Sequence, residues 1–170
     1  MSRYSNYFFN CLPPIDKTLR VCYNGGMIRK LTSEDKDLFL ALSAEFYASP
    51  AVAHPVPAQY HARAFEELMR AEEYIVCYIL CDGNVPAGYA LLQKTYSREG
   101  GGLTIWIDEI YLRPAFRGKG LGREFFAFAD TLGAARYRLE VEPDNARAIQ
   151  LYASLGFEPL PYLQMVKEKG

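Results

Sequence analysis

The sequence predicts a single α/β domain in which one mixed β-sheet is flanked by helices, and three observations carry that prediction. A chain of 170 residues, 50% hydrophobic and 23% charged, has the size and composition of one ordinary globular domain. Apolar runs with strand-like alternation are separated by segments whose apolar positions recur at helical spacing. Tyr74–Cys81 and Val85–Tyr96 are joined by a short turn and pair antiparallel, but Leu103–Leu112 and Tyr137–Glu142 are separated by a helical segment. That crossover makes the sheet mixed, with parallel pairing near its C-terminal half.

The elements follow in order. Residues 1–26 mix aromatic, Pro-Pro and Gly-Gly elements without period and read as an irregular leader or extension, so the domain is placed at 27–170. Met27–Leu31 is a short strand. Thr32 or Ser33 can cap a helix whose first turn holds Glu34 and Asp35 and whose apolar face is Leu38, Phe39, Leu42 and Phe46. Pro50, Pro55 and Pro57 interrupt the chain before a helix at Ala58–Ala71 with Phe65, Leu68 and Met69 on one side. Tyr74–Cys81 and Val85–Tyr96 form a hairpin, because Asp82-Gly83-Asn84 tolerates the positive φ of a tight turn. Gly100-Gly101-Gly102 leads into the strand Leu103–Leu112, which Arg113-Pro114 ends. Gly120–Leu132 is amphipathic through Leu121, Phe125, Phe128, Ala129 and Leu132, and Gly133 stops it. A strand at Tyr137–Glu142, a helix at Asn145–Leu155 and a strand pair within Phe157–Val166 complete the pattern.

Composition excludes several classes. Nineteen basic residues against twenty acidic ones leave a charge of −1, so no overall field gathers nucleic acid or an anionic membrane. The longest apolar runs, Tyr74–Cys81 and Gly88–Leu92, are far shorter than the ~18 residues of a membrane span. With no apolar signal core at the N-terminus, the expected location is cytoplasmic. Cys11, Cys22, Cys77 and Cys81 form no paired framework, and Cys77 and Cys81 fall on one side of a strand as small buried hydrophobes. His54 and His61 lack partners at ligand spacing, so no metal is expected.

The chemistry concentrates between Arg113 and Arg123. Gly118, Gly120 and Gly122 lie between a strand and an amphipathic helix, where the backbone can approach a ligand and the first helical amides have no internal partners. Arg113, Arg117, Lys119 and Arg123 add positive charge to the helix dipole, which makes this an anion site suited to phosphate. A nucleotide-hydrolase loop would need Ser or Thr after Gly118-Lys119, but Gly120 stands there. A dinucleotide fingerprint beginning at Gly118 would need glycine where Arg123 stands, although Glu140 lies where a ribose ligand would be expected.

The motif Arg117-x-x-Gly120-x-Gly122 is preceded by Ile107-Asp108-Glu109-Ile110-Tyr111-Leu112-x-Pro114. It is followed by Asn145-x-x-Ala148-x-x-Leu151-Tyr152-x-x-Leu155-Gly156-Phe157. Together these resemble the GNAT superfamily of acyl-CoA-dependent N-acyltransferases, from Met27 to the end of the chain. The resemblance implies acetyl-CoA as co-substrate, lying where Leu103–Leu112 and Tyr137–Glu142 splay apart. It implies cofactor contacts from Ile110, Tyr111, Leu112, Arg117, Gly118, Lys119, Gly120, Leu121, Gly122, Arg123, Asn145 and Tyr152. It further implies that Tyr152 protonates the departing thiolate, and that Asn145 contacts the pantetheine arm besides capping its helix.

An alkylammonium acceptor, with a pKa near ~10, must lose a proton before it attacks, so a carboxylate or a water it polarises belongs nearby. Asp108, Glu109 and Glu140 compete for that role. In a regular strand Asp108 and Glu109 point to opposite faces and only one sees the acceptor. The family position favours Asp108, while a bulge would invert the parity. These acids favour a cationic acceptor, unless Arg63 or Arg70 reverses the local field. The expected activity is N-acetyl transfer to a primary amine of a small molecule or peptide by direct attack in a ternary complex. The alternative is a catalytically silent CoA-binding sensor or interaction module. A homodimer is left open, and Tyr47, His54, Tyr60 and His61 are given no role.

Overall fold

The computed structural model describes residues 21–23, 26–52 and 54–167. Its elements are β1 (Val21–Tyr23), β2 (Gly26–Lys30), α1 (Lys36–Tyr47), α2 (Ala58–Arg70), β3 (Ile75–Asp82), β4 (Val85–Ser97), β5 (Gly102–Leu112), α3 (Leu121–Ala129), β6 (Arg136–Leu139) and α4 (Ala146–Ser154). The six strands lie in chain order across one sheet. Every neighbouring pair is antiparallel except β5 and β6, which run parallel across α3.

Local chemistry explains the joints. Gly83 takes φ 59° at the β3–β4 turn, and Gly133 takes φ 71° after α3 and a closing 3₁₀ turn at Asp130–Leu132. The expected cap at Thr32 is found: Thr32 precedes a 3₁₀ turn at Ser33–Asp35 that leads into α1 and forms a capping box with Asp35. The Asp35 carboxylate folds back to accept from the Thr32 amide and hydroxyl, both at 2.9 Å, and from Arg29 at 2.6 and 2.7 Å. These donors hold its carboxyl below the usual range, the Arg29 contact contributing most.

Two departures concern the ends. Val21–Tyr23, inside the segment read as an irregular leader, pairs with β2, so the ordered sheet begins upstream of Met27. Residues 1–20 and 24–25 lie outside the described set. The strand pair expected within Phe157–Val166 is absent, because residues 157–167 pair with no strand and Leu163, Met165 and Val166 are exposed. Apolar alternation alone does not secure a strand without an edge that accepts it. β6 is likewise shorter than expected, ending at Leu139 rather than Glu142.

The sheet is covered on both faces. One core joins Val76, Tyr78, Leu80, Ile105 and Ile107 to Phe125, Phe126 and Phe128 of α3, with Tyr152 and Leu155 packed at its margin. The other joins Phe39 and Leu42 of α1 and Phe65 and Leu68 of α2 to Cys77, Ile79, Cys81, Tyr89 and Tyr111. Cys77 and Cys81 therefore share a face as the sequence predicted.

Gly88 is the tightest point of the ladder. It pairs with Leu112, and an added Cβ would stand 1.9 Å from the Tyr111 carbonyl oxygen. The backbone cannot yield there without opening β4 from β5. Gly88→Ala is expected to destabilise the fold by about 3 kcal/mol, read from urea unfolding. An unchanged midpoint would show that the ladder relaxes freely.

A candidate active site where two parallel strands part

β5 and β6 pair from Thr104–Arg136 to Ile107–Leu139 and then separate, although β5 continues to Leu112. The opening begins at Asp108 and Glu140. On its other edge β5 carries a bulge, since Leu91 pairs with Glu109 and Leu92 with Ile107, leaving Asp108 as the extra residue. Ile105, Ile107, Ile110 and Leu112 all pack on the α3 core, and Tyr111 packs on the α1 core. The two residues bracketed by Ile107 and Ile110 therefore both face the α1 side. The regular-strand expectation that only one of the acids sees that side is corrected by this single insertion.

The two acids have different surroundings. Glu109 is 8% exposed, and both of its oxygens are taken: Tyr47 Oη donates to Oε1 at 2.8 Å and Tyr89 Oη to Oε2 at 2.5 Å. Burial pushes its carboxyl up, against the pull of the two phenols. Asp108 opens to solvent, yet the surrounding protein raises its carboxyl too, and repulsion from Glu140 adds to this while Gln93 opposes it. Glu140 is exposed at the end of β6. Asp108 thus presents unclaimed lone pairs, whereas Glu109 is a fixed anchor.

That anchor organises the roof. Ser43 and Tyr47 stand one turn apart on α1; Ser43 Oγ lies 2.8 Å from His61 Nδ1 of α2, and the Tyr47 ring meets the imidazole edge at 5.3 Å. Farther along β5, Arg113 binds Glu45 of α1 at 2.7 Å, and Tyr111 Oη donates to Glu45 at 3.4 Å. The sequence could not pair Tyr47 with Glu109 or Glu45 with Arg113, because these partners lie more than sixty residues apart along the chain.

Gly118 and Gly120 adopt φ 81° and 92°, conformations that cost other residues about 1–2 kcal/mol. The amides of Leu121, Gly122 and Arg123 start α3 without intrahelical partners, and a Cβ at Gly120 would meet open space. The basic residues are not all free for an anion. Lys119 binds Asp82 at 2.7 Å, Arg113 binds Glu45, Arg117 Nε donates to the Leu112 carbonyl, and Arg123 donates to Ser154 Oγ. Much of the positive charge at this helix start is therefore engaged within the protein, beside the free amides and the helix dipole.

α4 packs beside α3, with Tyr152 and Leu155 at the margin of that core. Asn145 Oδ1 accepts the Ala148 amide at 3.1 Å, as a capping residue should. Tyr152 packs against Phe126 and Phe157 at 5.5 and 6.0 Å between ring centres, and burial raises its phenol. Its hydroxyl bonds no group among the described residues. Among these residues no cluster of His, Cys, Asp and Glu could hold a metal, and no helix is long and apolar enough to cross a membrane.

A mixed sheet whose parallel strands part beside a glycine-rich helix start is the architecture of a CoA-type acyltransferase. Residues 37–157 match the sequence pattern of the acetyltransferase (GNAT) family, and the chain belongs to that family. It is 33% identical over 82 residues to the thialysine N-epsilon-acetyltransferase of Sus scrofa, covering 46% of this chain and 48% of that one. The chain thus spans about half the length of the curated relatives it matches first. A possible acetyltransferase of Clostridium difficile 630 superposes with TM-score 0.73 at 17% identity, over 85% of this chain and 97% of the other. AAC(6')-Iy in complex with a CoA-S-monomethyl-acetylneamine bisubstrate analogue superposes with TM-score 0.70 at 17% identity, over 85% and 99%.

Glu109 gives a signed pH effect. A carboxyl whose folded pKa is raised contributes stability that is complete below its unfolded value, near ~4.3, and is lost as pH rises through the folded value. Glu109→Gln removes that ionisation. The melting temperature of the unsubstituted protein minus that of Glu109→Gln should therefore fall between pH 4 and pH 7. A difference that grows across this range would contradict the buried-anchor reading.

Proposed function

We propose that the protein is an acetyl-CoA-dependent N-acetyltransferase that acylates a primary amine of a small molecule or peptide by direct attack in a ternary complex. The observation that carries this reading is the end of β5–β6 pairing at Ile107 and Leu139, which opens the sheet beside Asp108. The glycine-rich start of α3 follows β5 in the chain, and Tyr152 packs on the α3 core, which supports the same reading. The residues fit the co-substrate. The free amides of 121–123 and the left-handed Gly118 and Gly120 would hold its pyrophosphate, and the β5 edge at Ile110–Leu112, with Asn145, would line its arm. Acetyl-CoA supplies an activated carbonyl and a thiolate leaving group.

Within that arrangement Asp108 is the base. Its raised carboxyl and open lone pairs suit it to take a proton from the amine directly or through a water, as the nitrogen attacks the thioester carbon. Glu109 does not serve directly, because both oxygens are occupied; it positions β5 against α1. Tyr152 stays protonated through neutral pH and donates its phenolic proton as the carbon–sulfur bond breaks. Neither Cys77 nor Cys81 carries the acyl group: both are buried, and burial pushes both thiols up. The thialysine and aminoglycoside acetyltransferases among the similar proteins support an amine acceptor.

Release of free thiol from acetyl-CoA across a panel of primary amines tests the activity, and no release with any amine would leave only a CoA-binding module. Tyr152→Phe preserves the aromatic packing and removes the proton donor. Its kcat should fall about 10²–10³-fold with CoA affinity little changed. A rate within twofold would return Tyr152 to a packing role.

A further inference from the structure

α1 and α2 cover only part of the sheet face that presents the two acids. Beyond them β5 presents Thr104 and Trp106, and β6 presents Arg138 and Glu140, since Tyr137 and Leu139 pack on the opposite core. A cavity of about 390 Å³ lies there, lined by residues 95–99 together with Thr104, Trp106 and Arg138, so that Arg98, Glu99 and Arg138 are its charged groups. Ligand sites commonly have such volumes.

Two features of the lining are unresolved by the protein itself. The Arg138 guanidinium lies over the Trp106 ring at 4.4 Å and has no carboxylate partner among the described residues. Arg29, Arg70, Arg113 and Arg136 all have one. Stacking fixes the guanidinium plane and leaves its N–H edge free for a planar anion. Thr104, 1% exposed, keeps its Oγ1 buried with no hydrogen-bond partner. A buried hydroxyl left alone is costly and marks a place where a polar group is missing.

Register sets the distance from the chemistry. Arg138 stands opposite Trp106, which is two residues from Asp108, or about 7 Å along an extended strand. We propose that the acceptor is a primary amine that also carries a carboxylate, its amine at Asp108 and its carboxylate held by Arg138 and Thr104. This rests on the acyl-transfer reading of the same site and narrows its substrate class. The stacked Arg138 guanidinium with one hydroxyl matches a planar carboxylate, Arg98 adds positive charge to the same lining, and Glu99 there is paired with Arg136. The purely cationic acceptor expected from the acids is thereby replaced by a zwitterion. Arg63 and Arg70 do not produce the change, since they lie over Tyr60 and on Glu67; the positive charge comes from Arg138 of β6 and from Arg98.

Binding of 6-aminohexanoate and of hexylamine, which differ in the carboxylate, is to be measured by calorimetry on the full chain with saturating CoA. The unsubstituted protein should bind 6-aminohexanoate about tenfold more tightly. That preference should shrink to about twofold in Arg138→Gln and should weaken in Thr104→Val, whose shape is retained if the arginine variant does not fold. Equal binding of the two amines, or a preference undiminished in the folded variants, would overturn the proposal. Thiol release from acetyl-CoA is scored separately. Preferential binding without release would remove the transferase reading and leave the carboxylate site, whereas release with both amines alike would do the reverse.

Discussion

One extra residue in one strand governs the rest of the site. Without the bulge at Asp108, β5 would alternate regularly, Glu109 would turn into the α3 core among phenylalanines, and Tyr111 would leave the α1 core. With it, Ile110 and Leu112 regain the α3 face and two carboxylates are delivered to the other. The insertion coincides with the end of pairing to β6, so the strand is locally free of one neighbour where it must bend.

The two carboxylates are then divided by environment rather than by type. Glu109 is enclosed and receives two phenols, so its charge is spent on attaching α1 to the sheet through Tyr47, with Tyr89 supporting it from β4. Arg113 and Glu45 make a second attachment between the same helix and the end of β5. The face that carries both acids is consequently tied to α1 at two points. Asp108, with Gln93 and Glu140 near it, keeps an exposed carboxyl, which is why the proposed mechanism assigns it the proton transfer.

Most of the fold was legible because its signals are local. Helical spacing located α1, α2 and α3, the Asp82-Gly83-Asn84 turn located the hairpin, and the Gly118–Gly122 spacing located the helix start. The misses are non-local. Val21–Tyr23 is a strand because β2 offers an edge, and Phe157–Val166 pairs with no strand despite its alternation. The partners of Glu109 and the stacking of Arg138 on Trp106 depend on which strands and helices lie side by side. No residue spacing encodes those contacts, whereas the acids, Tyr152 and Asn145 stood inside recognisable motifs.

The division of labour between adjacent acids is tested most directly by the pH dependence of kcat/KM for acetyl transfer in Asp108→Asn and Glu109→Gln. The account predicts that Asp108→Asn loses the lower-pH limb of the profile, while Glu109→Gln keeps that limb at a reduced rate. A limb retained in Asp108→Asn and lost in Glu109→Gln would contradict it.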